Sequence, residues 1–393
     1  MLEIRRLVGE ELHEADLIWL QAFERGALDR LKGLPVYRQA FSDRIERFGL
    51  WDSAGLQATF QMTNTRLHFG PEAVLLASYI SSIACRPASR GRGYGGAGLK
   101  YLLKHMHEAG TVLCTTAPFS FDYYRPFGFE WIGPVRCYKV PSRVLQPDPE
   151  TEHVRVATRE DRLGIQAVYR QFAGGYRGMA ARDEKYWDWM LKDSEEYVTY
   201  TYVYEHDGRM EGYLIYQGGD AEETWLPEFL VLTPRSQRAL LGLLRRHEMQ
   251  VKRFAWEAPA DDGLWSQCLH KEMETTLDAP FQGRVVDVVG ALNAWRPDPS
   301  ARGTVILAIE DPCAPWNEGM WKVAFEQGNV SVGSTQAEPQ IRMDIQAFCQ
   351  AFFGVLTVAA LRKQERLQAH EETGYQALCH LLAGPPMWTD GHF

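Results

Sequence analysis

Residues 79–106 read YISSIACRPASRGRGYGGAGLKYLLKHM, and the loop at their centre, Arg90-Gly91-Arg92-Gly93-Tyr94-Gly95-Gly96, decides the fold. Before it, Tyr79–Cys85 is an apolar run of strand length. After it, Leu99, Leu102, Leu103 and Met106 recur at helical spacing, and Gly110 is placed to end the helix. A glycine-rich turn entering a helix presents free backbone N–H groups and the positive end of the helix dipole, which suits a phosphate or pyrophosphate. Arg90 and Arg92 bring positive charge to the same place. The pattern Gly91-x-Gly93-x-x-Gly96 also fits the dinucleotide fingerprint, but its surroundings do not. Arg86 to Arg90 separate the strand from the first glycine, and about 20 residues past the motif lie Thr115 and Thr116, with no acid for a ribose.

Outward from the loop, a second strand is expected at Thr111–Thr115, followed by Phe121-Asp122-Tyr123-Tyr124-Arg125-Pro126-Phe127-Gly128-Phe129-Glu130. A proline-rich, charged break covers Pro141 to Glu150. Beyond it the chain looks like a second start. Glu3 to Glu11 can be laid over His153 to Asp161 without a gap, each a short strand followed by an acidic turn suited to a helix N-terminus. Ile80 to Met106 is echoed by Glu228 to Met249, an apolar strand, Thr-Pro, a short basic loop and a leucine-rich helix, but without the glycines. The first half is therefore expected to keep a ligand site that the second has lost. A third region opens near Phe281, with strands expected at Thr304–Ile309, Trp321–Phe325 and Val330–Val332, and helical patterns at Asp344–Leu361 and Tyr375–Leu382. The chain ends Gly384-Pro385-Pro386-Met387-Trp388-Thr389-Asp390-Gly391-His392-Phe393, an extended, aromatic segment expected to dock.

Strand, Arg90-x-x-Gly93-x-Gly95 loop, amphipathic helix, second strand and the tyrosine-then-Phe-Gly-Phe segment resemble, in that order, the acyl-CoA-binding core of the GCN5-related N-acetyltransferases (GNAT). The duplication, the Lys185-Tyr186-Trp187-Asp188-Trp189 helix, the Gly319-x-Trp321-x-Val323 strand and the terminal Pro-Pro-Met-Trp…Phe make the whole chain similar to the Eis (enhanced intracellular survival) acetyltransferases. The resemblance implies an α/β (α+β) chain of two tandem acetyltransferase folds, the second degenerate, and a sterol-carrier-protein-like domain. Their bounds are expected at 1–146, 147–282 and 283–393, the last ending in a catalytic tail. It implies that the backbone of Ile83, Ala84 and Cys85 takes the pantetheine arm of acetyl-CoA. Arg90, Gly91, Arg92, Gly93, Tyr94, Gly95 and Gly96 would hold the pyrophosphate, with Phe119 and Ser120 beside the acyl end. Tyr124 matches the general acid that protonates the departing thiolate, and the Phe393 carboxylate matches the group that takes the proton of the attacking ammonium. Tyr123, adjacent to Tyr124, leaves open which hydroxyl points inward. A homo-oligomer, a hexamer in that family, is implied as well.

Those two roles answer a chemical need. A primary amine is mostly protonated at neutral pH and must lose a proton before attacking a thioester. An α-carboxylate, with a reference pKa of about 3.5, is a weak base unless desolvated, and an apolar tail that buries Phe393 would desolvate it.

Composition sets the outer bounds. At 393 residues the chain exceeds one core, and 45% hydrophobic with 24% charged residues excludes a disordered or fibrous chain. Lys+Arg of 42 against Asp+Glu of 51 gives a net charge of −9, the wrong sign for a general nucleic-acid binder and agreeable to a cationic amine. An aminoglycoside, a polyamine and a lysine side chain all fit that description. Seven cysteines without a CxxC pair indicate neither a disulfide framework nor a zinc ribbon. His105 and His107, two apart on a helix, point to different faces, and no metal is expected. No GxSxG, phosphate-loop lysine motif or HExxH occurs, which leaves hydrolase readings unsupported. The start of the chain lacks a secretion pattern, and Ile345–Leu361 falls short of a membrane span, so a cytoplasmic protein free of membrane is expected. The leading expectation is an acetyl-CoA-dependent N-acetyltransferase acting by direct attack in a ternary complex. Its rivals are a catalytically silent acyl-CoA or lipid-binding module and a transferase using aminoacyl-tRNA, the latter disfavoured by the acidic balance.

Overall fold

The computed structural model describes residues 2–23, 38, 40–192, 198–217, 222–267 and 270–389. They fall into two compact units, one within 2–132 and 281–387, the other within 133–280 and 388–389.

In the first unit, strands β1 (Glu3–Arg6), β2 (Ile45–Asp52), β3 (Gly55–Phe69) and β4 (Val74–Cys85) pair antiparallel in that order, and β5 (Leu113–Thr116) joins β4 in parallel. A segment from much later in the chain pairs antiparallel with β5, with Gln282 opposite Thr116 and Val285 opposite Leu113. Helices cover both faces, which is why β3 is buried without interruption from Leu56 to Thr63. Helix α1 (Glu11–Phe23) sets Ala15 and Ile18 against Leu7, Leu56 and Ala84. Helix α2 (Tyr94–Glu108) buries Leu99, Leu102, Leu103 and Met106 against Phe48, Phe60, Met62 and Ile80, the face its spacing predicts. Each such side chain contributes about 1.5–3 kcal/mol of transfer free energy.

The C-terminal part of this unit is a five-stranded sheet in the order Asn329–Ser334, Gly319–Glu326, Gly303–Glu310, Ile341–Asp344, Leu367–Ala369. The continuous helical pattern expected over Asp344–Leu361 is broken in two, Ile345–Phe352 and Val358–Lys363. Gly354 turns left-handed at φ 76°, and Thr357 caps the second helix by accepting the Ala360 N–H at 3.1 Å. The two short strands at Ile341–Asp344 and Leu367–Ala369 are absent from the sequence reading because so few residues show no alternation.

The second unit contains an antiparallel sheet in the order Glu228–Val231, Arg209–Gln217, Thr199–His206, Val154–Val156. A separate ladder pairs Arg253–Pro259 with Val135–Pro141 and, in parallel, with Glu223–Trp225. Both echoes read from the sequence are strand-then-helix units here: Val154–Val156 leads to Arg162–Ala173, and Glu228–Val231 to Pro234–Arg245. No helix among the described residues is long and apolar enough to cross a membrane. In the tail, Met387 and Trp388 are buried, and the Trp388 N–H donates to the Arg177 carbonyl at 3.0 Å. Phe393, expected to carry the catalytic carboxylate, lies outside the described residues.

Candidate active site

The β4–β5 ladder ends with Tyr79 opposite Thr115, whereas β4 runs on to Cys85 with β3 at its other edge. One extra residue enters β4 between its pairings with Thr59 and Gln61, and there Ser82 adopts φ 54°. A serine held in the left-handed region costs about 1–2 kcal/mol. The bulge also resets the phase of the strand. Ile80 faces α2, and so do Ile83 and Cys85, while Ala84 faces α1. Past Ile80, the edge of β4 turned away from β3 has no ladder partner among the described residues, so residues 83–85 can accept an extended chain there as a strand would be accepted.

Beyond Cys85 the chain makes one 3-10 turn, Pro87–Ser89, before the glycine loop. Its anchors are Arg86, which donates to the Leu56 carbonyl at 2.7 Å, and Ser89, which hydrogen-bonds Gln57. Gly91 and Gly93 both lie at positive φ, 78° and 79°, with open space where a Cβ would stand. The backbone conformation, rather than crowding, requires glycine at these two positions. Gly93 is the N-cap of α2 and offers no side-chain cap, so the first N–H groups of the helix remain free for a ligand. Tyr94 donates to Asp52 at 2.8 Å and ties the first turn to the β2–β3 hairpin. The Ala54 N–H, this phenol and nearby Arg92 hold the Asp52 carboxyl below its usual range. Arg90 and Arg92 are exposed and have no ion-pair partner among the described residues. Their charge reaches Cys85, whose thiol is nonetheless pushed up by burial.

Helix α3 (Phe121–Tyr124) carries the two tyrosines, and their hydroxyls meet different surroundings. Tyr124 is 3% exposed, and its hydroxyl is hydrogen-bonded to the side chain of Thr116, which donates to the Ile80 carbonyl at 2.9 Å. It therefore sits where β4 and β5 part. Burial pushes its phenol well above the ordinary range, and the Thr116 hydrogen bond only partly opposes that. Tyr123 instead points at the first turn of α2, where a Cβ on Gly95 would collide with its hydroxyl. Phe119, 67% exposed, packs on both rings at centroid distances of 4.9 and 5.9 Å. Ser120, the N-cap of α3, is half-buried beside it.

The turn bearing these tyrosines is held by side chains that sequence reasoning missed. Gln282 donates to the Phe121 carbonyl at 3.3 Å, Gln346 to Arg125 at 3.0 Å, the Cys313 thiol to Pro126 at 3.1 Å, and Arg284 to Phe127. Arg284 is fully buried, as is its partner Asp311 at 2.6 Å, which also accepts from Asn317 at 2.9 Å. Gly128, at φ 79°, has no room for a Cβ because the Arg284 guanidinium fills the space. The available signal was an arginine inside the apolar strand Phe281–Val286, since a charge placed there needs a buried partner.

The corresponding helix of the second unit, Pro234–Arg245, has a filled N-terminus. Thr233 accepts the Ser236 N–H at 3.2 Å, Ser236 returns the bond in a capping box, and Arg235 is held by Glu211. Its first turn thus carries a side-chain cap where that of α2 carries none.

Comparisons with known proteins assign domain families along the chain. Residues 3–132 and 178–285 each match an acetyltransferase (GNAT) domain family, and 288–389 match the sterol carrier protein domain. A protein of Streptomyces avermitilis, described as an uncharacterized N-acetyltransferase, is 24% identical over 350 residues, covering 84% of this chain and 85% of its own. Among solved structures, a GCN5-related N-acetyltransferase from Anabaena variabilis superposes with a TM-score of 0.88 at 16% identity. A probable N-acyltransferase from Enterococcus faecalis gives 0.87 at 23%. Eis1 from Mycobacterium abscessus gives 0.77 at 19%. Each of these three covers 100% of this chain and 100% of its own.

Proposed function

For a chain that carries two acetyltransferase (GNAT) domains and a sterol carrier protein domain, and is thereby an acyltransferase, we propose an Eis-type N-acetyltransferase that moves the acetyl group of acetyl-CoA to a primary amine of a cationic substrate. The observation that carries this reading is Tyr124, buried and kept protonated at the parting of β4 and β5, at the far end of β4's free edge from the glycine loop. Acetyl-CoA lays its pantetheine arm along residues 83–85 and its pyrophosphate on the N–H groups of residues 91–96, with Arg90 and Arg92 beside it. Phe119 and Ser120 flank the acyl end. The amine gives up its proton to the Phe393 carboxylate and attacks the thioester carbon. The N–C bond forms, the C–S bond breaks, and Tyr124 donates its proton to the departing thiolate. Residues 1–146 house this chemistry, 147–282 a degenerate copy, and 283–393 the sterol-carrier-like domain with the catalytic tail. The net charge of −9 supports an aminoglycoside, polyamine or lysine side chain as acceptor. The assembly is a homo-oligomer, a hexamer by likeness to Eis proteins.

The test is thiol release from acetyl-CoA against a panel of amines, with mass spectrometry of the products. Amine-dependent CoA release with one acetyl group on the amine is expected. Tight acetyl-CoA binding without release for any amine would leave a binding module in place of this reading.

A further inference from the structure

In the second unit, three potential metal ligands converge that play no part in the site above. Glu150 and His153 lie three apart on the 3-10 turn Pro149–His153, where residues at that spacing eclipse and share a face. His206 ends the strand Thr199–His206, just before a turn in which Asp207 and Gly208 both take positive φ. The ladder sets Val154 opposite Tyr204, which brings the end of that strand beside the turn. The ligand atoms of Glu150, His153 and His206 all lie within 4.8 Å of one another.

The bonding around His206 is what favours a cation here. Its Nε2 is 3.3 Å from the Asp207 carboxylate, which favours the proton on that nitrogen. Its Nδ1 is then a lone pair facing Glu150 Oε2 at 3.6 Å, buried and without a hydrogen-bond partner. Two acceptors facing each other repel unless a proton or a metal ion lies between them, and a metal ion would draw His153 into the same cluster. Arg235 is near enough for its charge to feel Glu150, but its guanidinium is held by Glu211. Tyr204 donates to Glu150 Oε2 and orients it, and the His153 ring stands 5.0 Å from the His206 ring at 72°. A carboxylate behind one ligating imidazole and a hydroxyl behind the ligating carboxylate is the outer support usual at zinc sites.

We propose that Glu150, His153 and His206 bind one divalent transition-metal ion of zinc type, with water completing a four-coordinate site. Two imidazoles and a carboxylate are a donor set that zinc accepts, and the absence of thiolate leaves the site open to Co2+ as a probe. The ion clips the Pro149–His153 turn to the strand end at His206. That turn is already fastened to the helix Pro234–Arg245 by Thr151, which donates to the Ala239 carbonyl at 3.1 Å. The sequence reading expected no metal, and the third ligand, His206, lies more than fifty residues beyond the other two and meets them only in the folded chain.

The experiment uses the full-length, tag-free chain stripped with a chelator. Co2+ titration should saturate at one equivalent with the intense visible bands of a four- or five-coordinate ion, and Zn2+ should displace it. His153→Ala, at an exposed position that the fold does not need, should abolish both signals, as should His206→Ala. Asp207→Asn should weaken binding roughly 10–100-fold, and His270→Ala should change nothing. Zn2+ should raise the Tm of the native chain and not that of His153→Ala. No saturable binding, or binding and a Tm shift that survive in both histidine variants, would overturn the proposal.

Discussion

Tyr123 and Tyr124 are adjacent in sequence, yet one hydroxyl packs on Gly95 and the other bonds Thr116. Tyr124→Phe should lower kcat by roughly 10²–10⁴ and leave acetyl-CoA affinity nearly unchanged, as loss of a general acid does. Tyr123→Phe, measured in the same steady-state assay, should lose far less. If the larger loss falls on Tyr123, the roles are reversed. Burial raises the Tyr124 pKa, so the proton stays on through the pH at which a free tyrosine, about 10, would lose it. The kcat profile should accordingly show no alkaline fall assignable to a phenol at or below pH of about 10. At the loop, Gly93→Asp forces a side chain into a left-handed N-cap and sets a negative charge among the N–H groups. Acetyl-CoA binding, followed by calorimetry, should weaken by about 2–4 kcal/mol. Gly91 and Gly93 were legible because glycine announces the backbone it permits. Ser82 was not, because nothing in a serine marks it as the residue that will bulge.

The elements divide along the same line. Helix α2 and its buried face could be read from leucine spacing, since periodicity is a local property. The β4–β5 opening could not, because it depends on where one ladder stops and another continues. Nor could the clasp on α3, whose arginine and aspartate stand 27 positions apart and meet only in the folded chain. This clasp makes its own prediction. Arg284→Met strands the buried Asp311 carboxylate, and chemical denaturation should show a loss of about 3–5 kcal/mol. Arg284→Met with Asp311→Leu removes both charges, and much of that stability should return. If the pair also fixes the Phe121–Phe127 turn, the double variant should regain its stability but keep a lowered kcat with an unaltered amine KM. Full recovery of both would reduce the pair to a matter of folding alone.

For the whole molecule, three domains could be counted from length, duplication and the break at Pro141 to Glu150, although the sequence gives no hint that the first domain's sheet recruits Gln282–Val285. The tail is the part on which the proposed mechanism depends most. A tag after Phe393 converts its carboxylate into an amide, and deleting Phe393 moves the terminus by up to about 3.5 Å. Each should abolish most turnover while acetyl-CoA affinity and folding persist, whereas an N-terminal tag should be harmless. Full activity in a C-terminally tagged enzyme would mean that another group is the base. Light scattering should return a multiple of the 44.8 kDa chain mass rather than the monomer. The clasp on α3 also bears on the timing of synthesis. Phe121 and the Gln282 side chain that caps its carbonyl are 161 residues apart, and Arg284 follows Phe127 by 157. At about 5–20 residues per second the ribosome needs roughly 8–30 s to bridge that gap. Throughout that interval the nascent acetyltransferase domain has its glycine loop but lacks both the neighbour of β5 and the clasp on its tyrosines. A chain released early by a premature stop before residue 281 would carry the loop proposed to hold acetyl-CoA without Gln282 and Arg284, which hold the turn of the proposed acid. On the proposed assignment, competence to transfer therefore arrives late in synthesis.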